Sequence, residues 1–120
     1  MDITKIENDS HFDEDEFFER IDKDKSIFTS LLEISFKQIQ KDVDLLTDSI
    51  DKEDKEKVQG LAHKIKGACR TVSFNRLSKY CEEIELAADD GIIPDNAKSI
   101  VKEEWEIVSA IVKDILDKQS

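Results

Sequence analysis

The spacing of apolar residues constrains this chain more than any other feature of its sequence. Between residues 24 and 50, and in three later segments, apolar side chains recur at steps of three and four. Such steps place side chains on one face of an α-helix, whereas a half-buried strand needs strict alternation. Only three glycines and one proline are present, too few for the many turns of a β-fold. The pattern therefore predicts an all-α protein.

Five helices are expected. A short one spans residues 13–21, and long ones span about 24–50 and 54–72, with Asp51 and Asp54 as candidate caps. After a turn at residues 73–75, a fourth helix ends at Gly91, and Pro94 and Asp95 open a fifth. Short loops favour an antiparallel up-down-up-down four-helix bundle with a short extra N-terminal helix. We expect a flexible tail over residues 1–12 and one bundle domain over residues 13–120.

Charge and composition exclude several classes of partner. The net charge is −11, so nucleic acid and an anionic membrane surface would repel the chain. No apolar run reaches 18 residues, and the acidic start does not resemble a signal peptide. Two cysteines without extracellular features indicate free thiols in a reducing compartment. We expect a cytoplasmic monomer without direct membrane contact.

Basic residues cluster in one part of this acidic chain. Residues 57–79 contain six of them and no aspartate or glutamate, whereas the rest of the chain carries 12 basic and 29 acidic residues. The six are Lys57, Lys64, Lys66, Arg70, Arg76 and Lys79. Chance clustering on a solvated face is one interpretation. The cluster also contains His63, one of only two histidines.

His63 lies outside the apolar stripe of its predicted helix. That stripe consists of Val58, Leu61, Ala62, Ile65, Cys69 and Val72. The helical neighbours of His63 are instead Gln59, Gly60, Lys66, Gly67 and Arg70. A glycine inside a helix is destabilising by about 0.5–1 kcal/mol relative to alanine. We interpret the two glycines as keeping the space around an exposed histidine open for another backbone or domain.

An exposed imidazole surrounded by cations suits phosphoryl chemistry. Imidazole is a nucleophile that can accept a group covalently and pass it on. Lys64, Lys66 and Arg70 would meet an anion attached to the ring. The sequence contains no Gly-rich phosphate loop and shows neither a nucleotide nor a Mg²⁺ site. The chain is therefore expected to hold a phosphoryl group rather than to make one from ATP, and to need no cofactor of its own.

Metal binding is a less favoured use of the histidines and cysteines. The intervals between His11, His63, Cys69 and Cys81 match no common ligand pair, so no metal site is predicted. Both cysteines are interpreted as core residues that an antiparallel hairpin centred near residue 75 brings close together. His11, in a polar segment, is interpreted as incidental.

The run AHKIKGACRTVSFNRLSKYCEEIE (62–85) resembles the histidine-containing phosphotransfer (HPt) domain of multistep two-component phosphorelays. The family's pattern is roughly H-x-[LI]-K-G-[SA], followed downstream by L-x-x-x-C-x-x-[LI]-E. It is met here by His63, Ile65, Lys66, Gly67, Ala68, Leu77, Cys81, Ile84 and Glu85. The segment FDEDEFFERIDKDKSIFTSLLEISF (12–36) is similar to the family's opening helices, so the resemblance covers about residues 12–118.

The resemblance implies a four-helix bundle in which His63 is phosphorylated on Nε2. His63 would take the phosphoryl group from a receiver-domain aspartate of one response regulator and pass it to another. Lys66 would offset phosphate charge and Gly67 would admit the receiver, which supplies the Mg²⁺ and the acidic catalytic pocket. The domain would be a carrier, not an enzyme by itself.

The resemblance also suggests where a receiver docks. Receiver active sites are acidic, so the basic cluster would steer and orient that surface. The candidate docking residues are Gln59, Gly60, Lys64 and Arg70, with Arg76 and Lys79 as weaker candidates. One departure is that many members have glycine where this chain has Ser73, which we expect to cap the following helix.

Three alternatives stay open at this stage. The first is a helical adaptor whose groove binds a partner helix while His63 is unphosphorylated. The second is a degenerate HPt bundle used as a scaffold, and the third is a metal-binding bundle. The sequence also fits either a free-standing protein or the cytoplasmic C-terminal part of a membrane sensor kinase.

Overall fold

A computed structural model describes residues 1–119 of the chain. Its five α-helices are α1 Glu14–Arg20, α2 Lys25–Asp51, α3 Lys55–Val72, α4 Asn75–Asp89 and α5 Ala97–Gln119. The five predicted helices are confirmed, with ends that differ by a few residues, and no strand occurs in the described residues. Within the same residues, no helix combines the length and the apolar character that crossing a membrane requires.

The four long helices form a closed bundle. α2 packs on α3, α3 on α4, α4 on α5 and α5 back on α2, while the short α1 contacts α2. Successive helices are joined by short loops that reverse the chain, which gives the predicted antiparallel up-down-up-down topology. The predicted fold class, a four-helix bundle with a short extra N-terminal helix, is confirmed.

The core forms where the apolar stripes of the helices meet. Its fully buried members include Leu32, Ile39, Leu46, Val58, Ile65, Leu77, Ile84, Val101 and Val108. Phe36 stacks on Trp105 with ring centroids 5.1 Å apart, and the Trp105 indole N–H donates to Gln40 Oε1 at 2.7 Å. Each large apolar side chain contributes roughly 1.5–3 kcal/mol when it is buried. This shared core holds α3 and α4 in register and so positions the polar side chains between them.

Aspartate side chains cap the N-termini of three of the helices. Asp13 accepts a hydrogen bond from Glu16 N–H at the start of α1, and Asp24 caps α2 in the same way. Asp54, one of the two predicted caps, accepts from Lys57 N–H at the start of α3. Asp51, the other, lies in the last turn of α2 and pairs with Lys98 of α5 instead.

Ser73 ends α3 and does not cap α4, so that prediction is wrong. Ser73 has the left-handed conformation, with φ of 61°, and its N–H donates to Cys69 O. Its hydroxyl is fully buried and has no hydrogen-bond partner in the described structure. Phe74, the residue that precedes α4, has no side-chain acceptor to offer. A left-handed helix end is the position that glycine occupies without strain.

Residues 1–12, hereafter the N-terminal strap, lie against α4 and the start of α5. The structure thus differs from the predicted flexible tail. Ile3 is 5% exposed, and Asn96, beside the start of α5, bonds to both of its backbone groups. These hydrogen bonds could not be predicted from the pattern of side chains, because they are made by backbone groups of the strap.

Candidate functional site

His63 projects from α3 into solvent, with 68% of its side chain exposed. The inward face of the same helix is fully buried and consists of Val58, Ala62, Ile65, Cys69 and Val72. The separation between the histidine and the apolar stripe, predicted from the sequence, is therefore present in the fold. An imidazole in this position is accessible to another macromolecule.

Glu85 of α4 reaches across to His63. Its Oε2 lies 2.6 Å from His63 Nδ1, and its Oε1 accepts a hydrogen bond from Lys66 Nζ, also at 2.6 Å. Glu85 and Lys66 are 18% and 16% exposed, so the carboxylate and the ammonium are held in the seam between α3 and α4. One carboxylate thus connects the histidine and the lysine that the sequence placed on one helix face.

The protonation of Glu85 determines which imidazole nitrogen is free. Burial raises the pKa of Glu85, but the hydrogen bonds and positive charges of Lys66 and His63 outweigh it, so the net pKa is lowered. The carboxylate is therefore ionised near neutral pH and can only accept hydrogen bonds. His63 Nδ1 must then carry the proton of the neutral imidazole, which leaves the lone pair on Nε2.

Gly60 and Gly67 leave the space beside the imidazole open. A Cβ atom built at either position would meet no other atom within 4 Å, apart from the helix's own adjacent backbone. Neither glycine is therefore needed for close packing inside the domain. The surface of α3 at both positions is open.

Comparison with known proteins identifies the family. A family model described as the Hpt domain matches residues 30–117, most of the chain. The chain belongs to the Hpt family. Hpt domains are phosphocarriers of two-component signalling and interact with the receiver domains of response regulators; they are not kinases. Searches of curated proteins and of solved structures found no match.

The family match does not cover the N-terminal elements of the chain. It begins at residue 30, inside α2, and so omits the strap, α1 and the first turn of α2. The motif that carries the sequence resemblance, at residues 62–85, lies wholly within the match, whereas the segment at residues 12–36 that resembles the family's opening helices is only partly covered.

The other predicted docking residues lie on two sides of the Hpt histidine. The side-chain amide of Gln59 donates to Asp89 Oδ1 of α4 at 3.0 Å. Arg70 Nη2 lies 3.8 Å from Oε2 of Glu82, which is also in α4. Lys64 points the other way, and its Nζ bonds to Asp42 of α2 at 3.2 Å. Gln59 and Arg70 are thus on the His63–Glu85 side, whereas Lys64 is on the α2 side.

Arg76 and Lys79 differ in their availability for docking. The guanidinium of Arg76 is occupied by the backbone carbonyls of Asp9 and Glu7 in the strap, so Arg76 fastens the strap to α4. The side chain of Lys79 is more than half exposed, and its Nζ lies 3.7 Å from Glu82 Oε2. Of the two weaker candidates, Lys79 alone faces solvent next to Arg70.

Both cysteines are buried free thiols, as the packing interpretation predicted. Burial, with the neighbouring Cys81 as a second cause, raises the pKa of Cys69 well above its usual value. The pKa of Cys81 is raised to about 12, mainly by burial. Neither thiol is a reactive thiolate at neutral pH. No group of three or more candidate ligands suited to a metal ion occurs in residues 1–119.

Sequence reasoning missed two contacts that use carboxylates. Glu85 was known only as a position in the family pattern, 22 residues from His63 along the chain, and its contact with Nδ1 depends on the α3–α4 pairing. His11 was interpreted as incidental, but its Nδ1 lies 2.8 Å from Oε2 of the buried Glu104 in α5. In the sequence, Glu104 lies three residues after Val101 and four before Val108, a spacing that puts it on the buried face of α5.

Proposed function

We propose that His63 is a phosphoryl acceptor that takes its group from a receiver-domain aspartate and passes it to the aspartate of another receiver. One observation carries the proposal: Glu85 accepts from Nδ1 and so directs the lone pair of Nε2 toward solvent. This is the tautomer and orientation that a nucleophilic imidazole needs.

The transfer step is a displacement at phosphorus. The Nε2 lone pair of His63 forms a bond to the phosphorus of the aspartyl phosphate while the bond to the aspartate oxygen breaks. The aspartate leaves as a carboxylate, and the imidazole gains positive charge that the Nδ1–H to Glu85 contact stabilises. The same step in reverse returns the phosphoryl group to a receiver.

Lys66 is assigned to the neutralisation of charge around the site. Its ammonium lies 2.6 Å from Glu85, so it balances the carboxylate and adds positive charge near a phosphoryl group on His63. The Mg²⁺ and the acidic pocket are assigned to the receiver. This division of roles agrees with Hpt domains being carriers rather than kinases.

The docking face is assigned to the outward side of α3 and its border with α4. Gly60 and Gly67 provide the open surface, and Gln59 and Arg70 lie at the border. Lys64 also faces solvent, but its charge is partly offset by the ion pair with the buried Asp42. Lys64 therefore contributes less than Arg70 to the electrostatic steering of a receiver.

The proposal is tested by incubating the chain with a receiver phosphorylated in advance on its aspartate. The expected result is an acid-labile phosphate on the tryptic peptide of residues 58–64, with equal loss from the receiver. A His63→Gln chain is the control and should accept none while keeping its helical spectrum. Phosphate on another residue would overturn the assignment of His63. No transfer, alongside receiver binding that survives His63→Gln, would favour the adaptor function instead.

A further inference from the structure

Two carboxylates of α4 oppose members of the basic cluster in different ways. Glu85 Oε1 accepts a hydrogen bond from Lys66 Nζ at 2.6 Å. Glu82, one turn earlier in α4, lies between two cations: its Oε2 is 3.8 Å from Arg70 Nη2 and 3.7 Å from Lys79 Nζ. The positive charge that the sequence predicts around Arg70 is therefore partly offset in the folded chain by one carboxylate.

The contacts of Glu82 are looser than those of Glu85. Both distances to Glu82 are longer than a hydrogen bond, and the side chains of Arg70 and Lys79 are 57% and 56% exposed. Lys66 and Glu85 are less than 20% exposed. Ion pairs between exposed side chains contribute little to stability, because water and salt screen them. Glu82 can therefore be separated from its cations without disturbing the fold, whereas Glu85 is held in place.

An open cleft of about 300 Å³ lies beside this group of charges. It is lined by Arg70, Lys79 and Glu82, together with Asn75, Ser78, Asp9 and Glu16. Arg70 and Lys79 are the cations of the cleft, and Glu82 is the carboxylate within ion-pair distance of both. A carboxylate from another protein that enters the cleft meets the same two cations and competes with Glu82 for them.

The cleft is close enough to His63 to lie beneath a protein docked on the histidine. Arg70 follows His63 by seven residues in α3, which is about 10 Å along the helix at 1.5 Å per residue. A protein–protein interface of ordinary size covers about 800 Å² of each partner, a patch roughly 30 Å across. A receiver centred on His63 therefore also covers Arg70 and the cleft.

We propose that Glu82 sets the affinity of the docking face for receivers by competing with them for Arg70 and Lys79. In the free chain Glu82 faces both cations, and in the complex an acidic side chain of the receiver takes its place. Each docking event exchanges one carboxylate for another, so the net gain in charge pairing is small and the complex dissociates readily. A carrier that leaves one receiver for the next requires such a complex. The inference rests on the proposed function, in which a receiver docks at His63.

The test compares Glu82→Gln with Glu83→Gln. Both substitutions remove one negative charge from adjacent positions of α4, but Glu83 is exposed and makes no ion pair within residues 1–119. The probe is a receiver that transfers phosphate to the chain, used unphosphorylated and with Mg²⁺, and its Kd is measured at low and high salt. We expect Glu82→Gln to lower the Kd about three- to tenfold and Glu83→Gln to change it less than about twofold. The difference should vanish near 1 M salt, where the Debye length is about 3 Å.

A second comparison identifies the cations involved. In a chain that carries Arg70→Gln and Lys79→Gln, adding Glu82→Gln should have no larger effect than adding Glu83→Gln. Circular dichroism checks that every variant keeps its helical spectrum. Equal Kd values for the Glu82 and Glu83 variants, or a gain that persists without the two cations, would overturn the proposal.

Phosphate transfer to His63, measured on the same samples, separates this inference from the proposed function. If transfer occurs and the Glu82 and Glu83 variants bind the receiver equally, the role of Glu82 is wrong and the phosphocarrier function stands. If no receiver transfers phosphate to His63, the proposed function fails and the role of Glu82 fails with it.

Discussion

Two substitutions at Gly67 should separate folding from phosphotransfer. A Cβ added there meets no atom within 4 Å beyond the adjacent helix backbone, so Gly67→Ala introduces no clash. Alanine is a better helix former than glycine by about 0.8–1 kcal/mol, and the free energy of unfolding should rise by up to that amount. Gly67→Gln should gain a similar propensity and fold as well.

The same substitutions should differ in transfer. The glutamine side chain extends into the space that a receiver must enter, whereas a methyl group hardly intrudes. In-line transfer needs the reacting atoms at about 3–3.5 Å, and a displacement of about 1 Å can reduce the rate on the order of 100-fold. We therefore expect Gly67→Gln to transfer on the order of 100-fold more slowly and Gly67→Ala to stay within a few-fold of the unmodified chain.

The assay follows phosphate loss from a labelled receiver in quenched time points, with thermal unfolding measured by circular dichroism on the same samples. Ala110→Gln is a matched control, because it adds the same side chain at an exposed position of α5, which lies diagonally across the bundle from α3. It should leave transfer unchanged. A folded Gly67→Gln chain that transfers at the unmodified rate would refute the explanation of the open surface around His63.

Three further predictions concern single residues. Ser73→Gly should raise the free energy of unfolding by about 1 kcal/mol in denaturant titrations, because glycine adopts the left-handed conformation of this helix end without strain and the unbonded buried hydroxyl is removed. No gain would contradict the strain at Ser73. Glu85→Gln should slow transfer on the order of tenfold and remove a pH dependence of the free energy of unfolding. Because folding lowers the pKa of Glu85 from 4.5, its contribution to stability is full above that value and is lost as the pH falls below it. Parallel profiles of unfolding free energy against pH for the two chains would contradict this. Lys64→Asp should destabilise the bundle by about 1–2 kcal/mol, because the new carboxylate faces the buried Asp42. Lys57→Asp is the control and should be nearly neutral. Equal denaturation midpoints for the two variants would exclude the Lys64–Asp42 contact as a source of stability.

The helices were predictable because their apolar spacing is local information. Steps of three and four defined the buried stripe of α3, and with it the exposed position of His63. The glycines at 60 and 67 could be connected with that histidine for the same reason, since residues three and four apart share a face.

The contacts that complete the site depend on the pairing of distant segments. Glu85 meets His63 only because α3 and α4 pack in one particular register, which side-chain periodicity does not specify. The sequence predicts that both Lys64 and Lys66 meet an anion on the ring of His63, yet the turn of the helix directs Lys64 to Asp42 of α2 and Lys66 to Glu85 of α4. The strap was missed because its backbone carries most of its contacts.

The most direct test of the account is to identify the nitrogen of His63 that carries the phosphoryl group. Long-range ¹H–¹⁵N NMR of the imidazole distinguishes the two ring nitrogens before and after phosphorylation by a receiver. Because Glu85 accepts from Nδ1, the account predicts an Nδ1–H tautomer in the free chain and phosphate on Nε2 in the modified one. Phosphate on Nδ1, or an imidazole whose proton resides on Nε2 in the free chain, would contradict it.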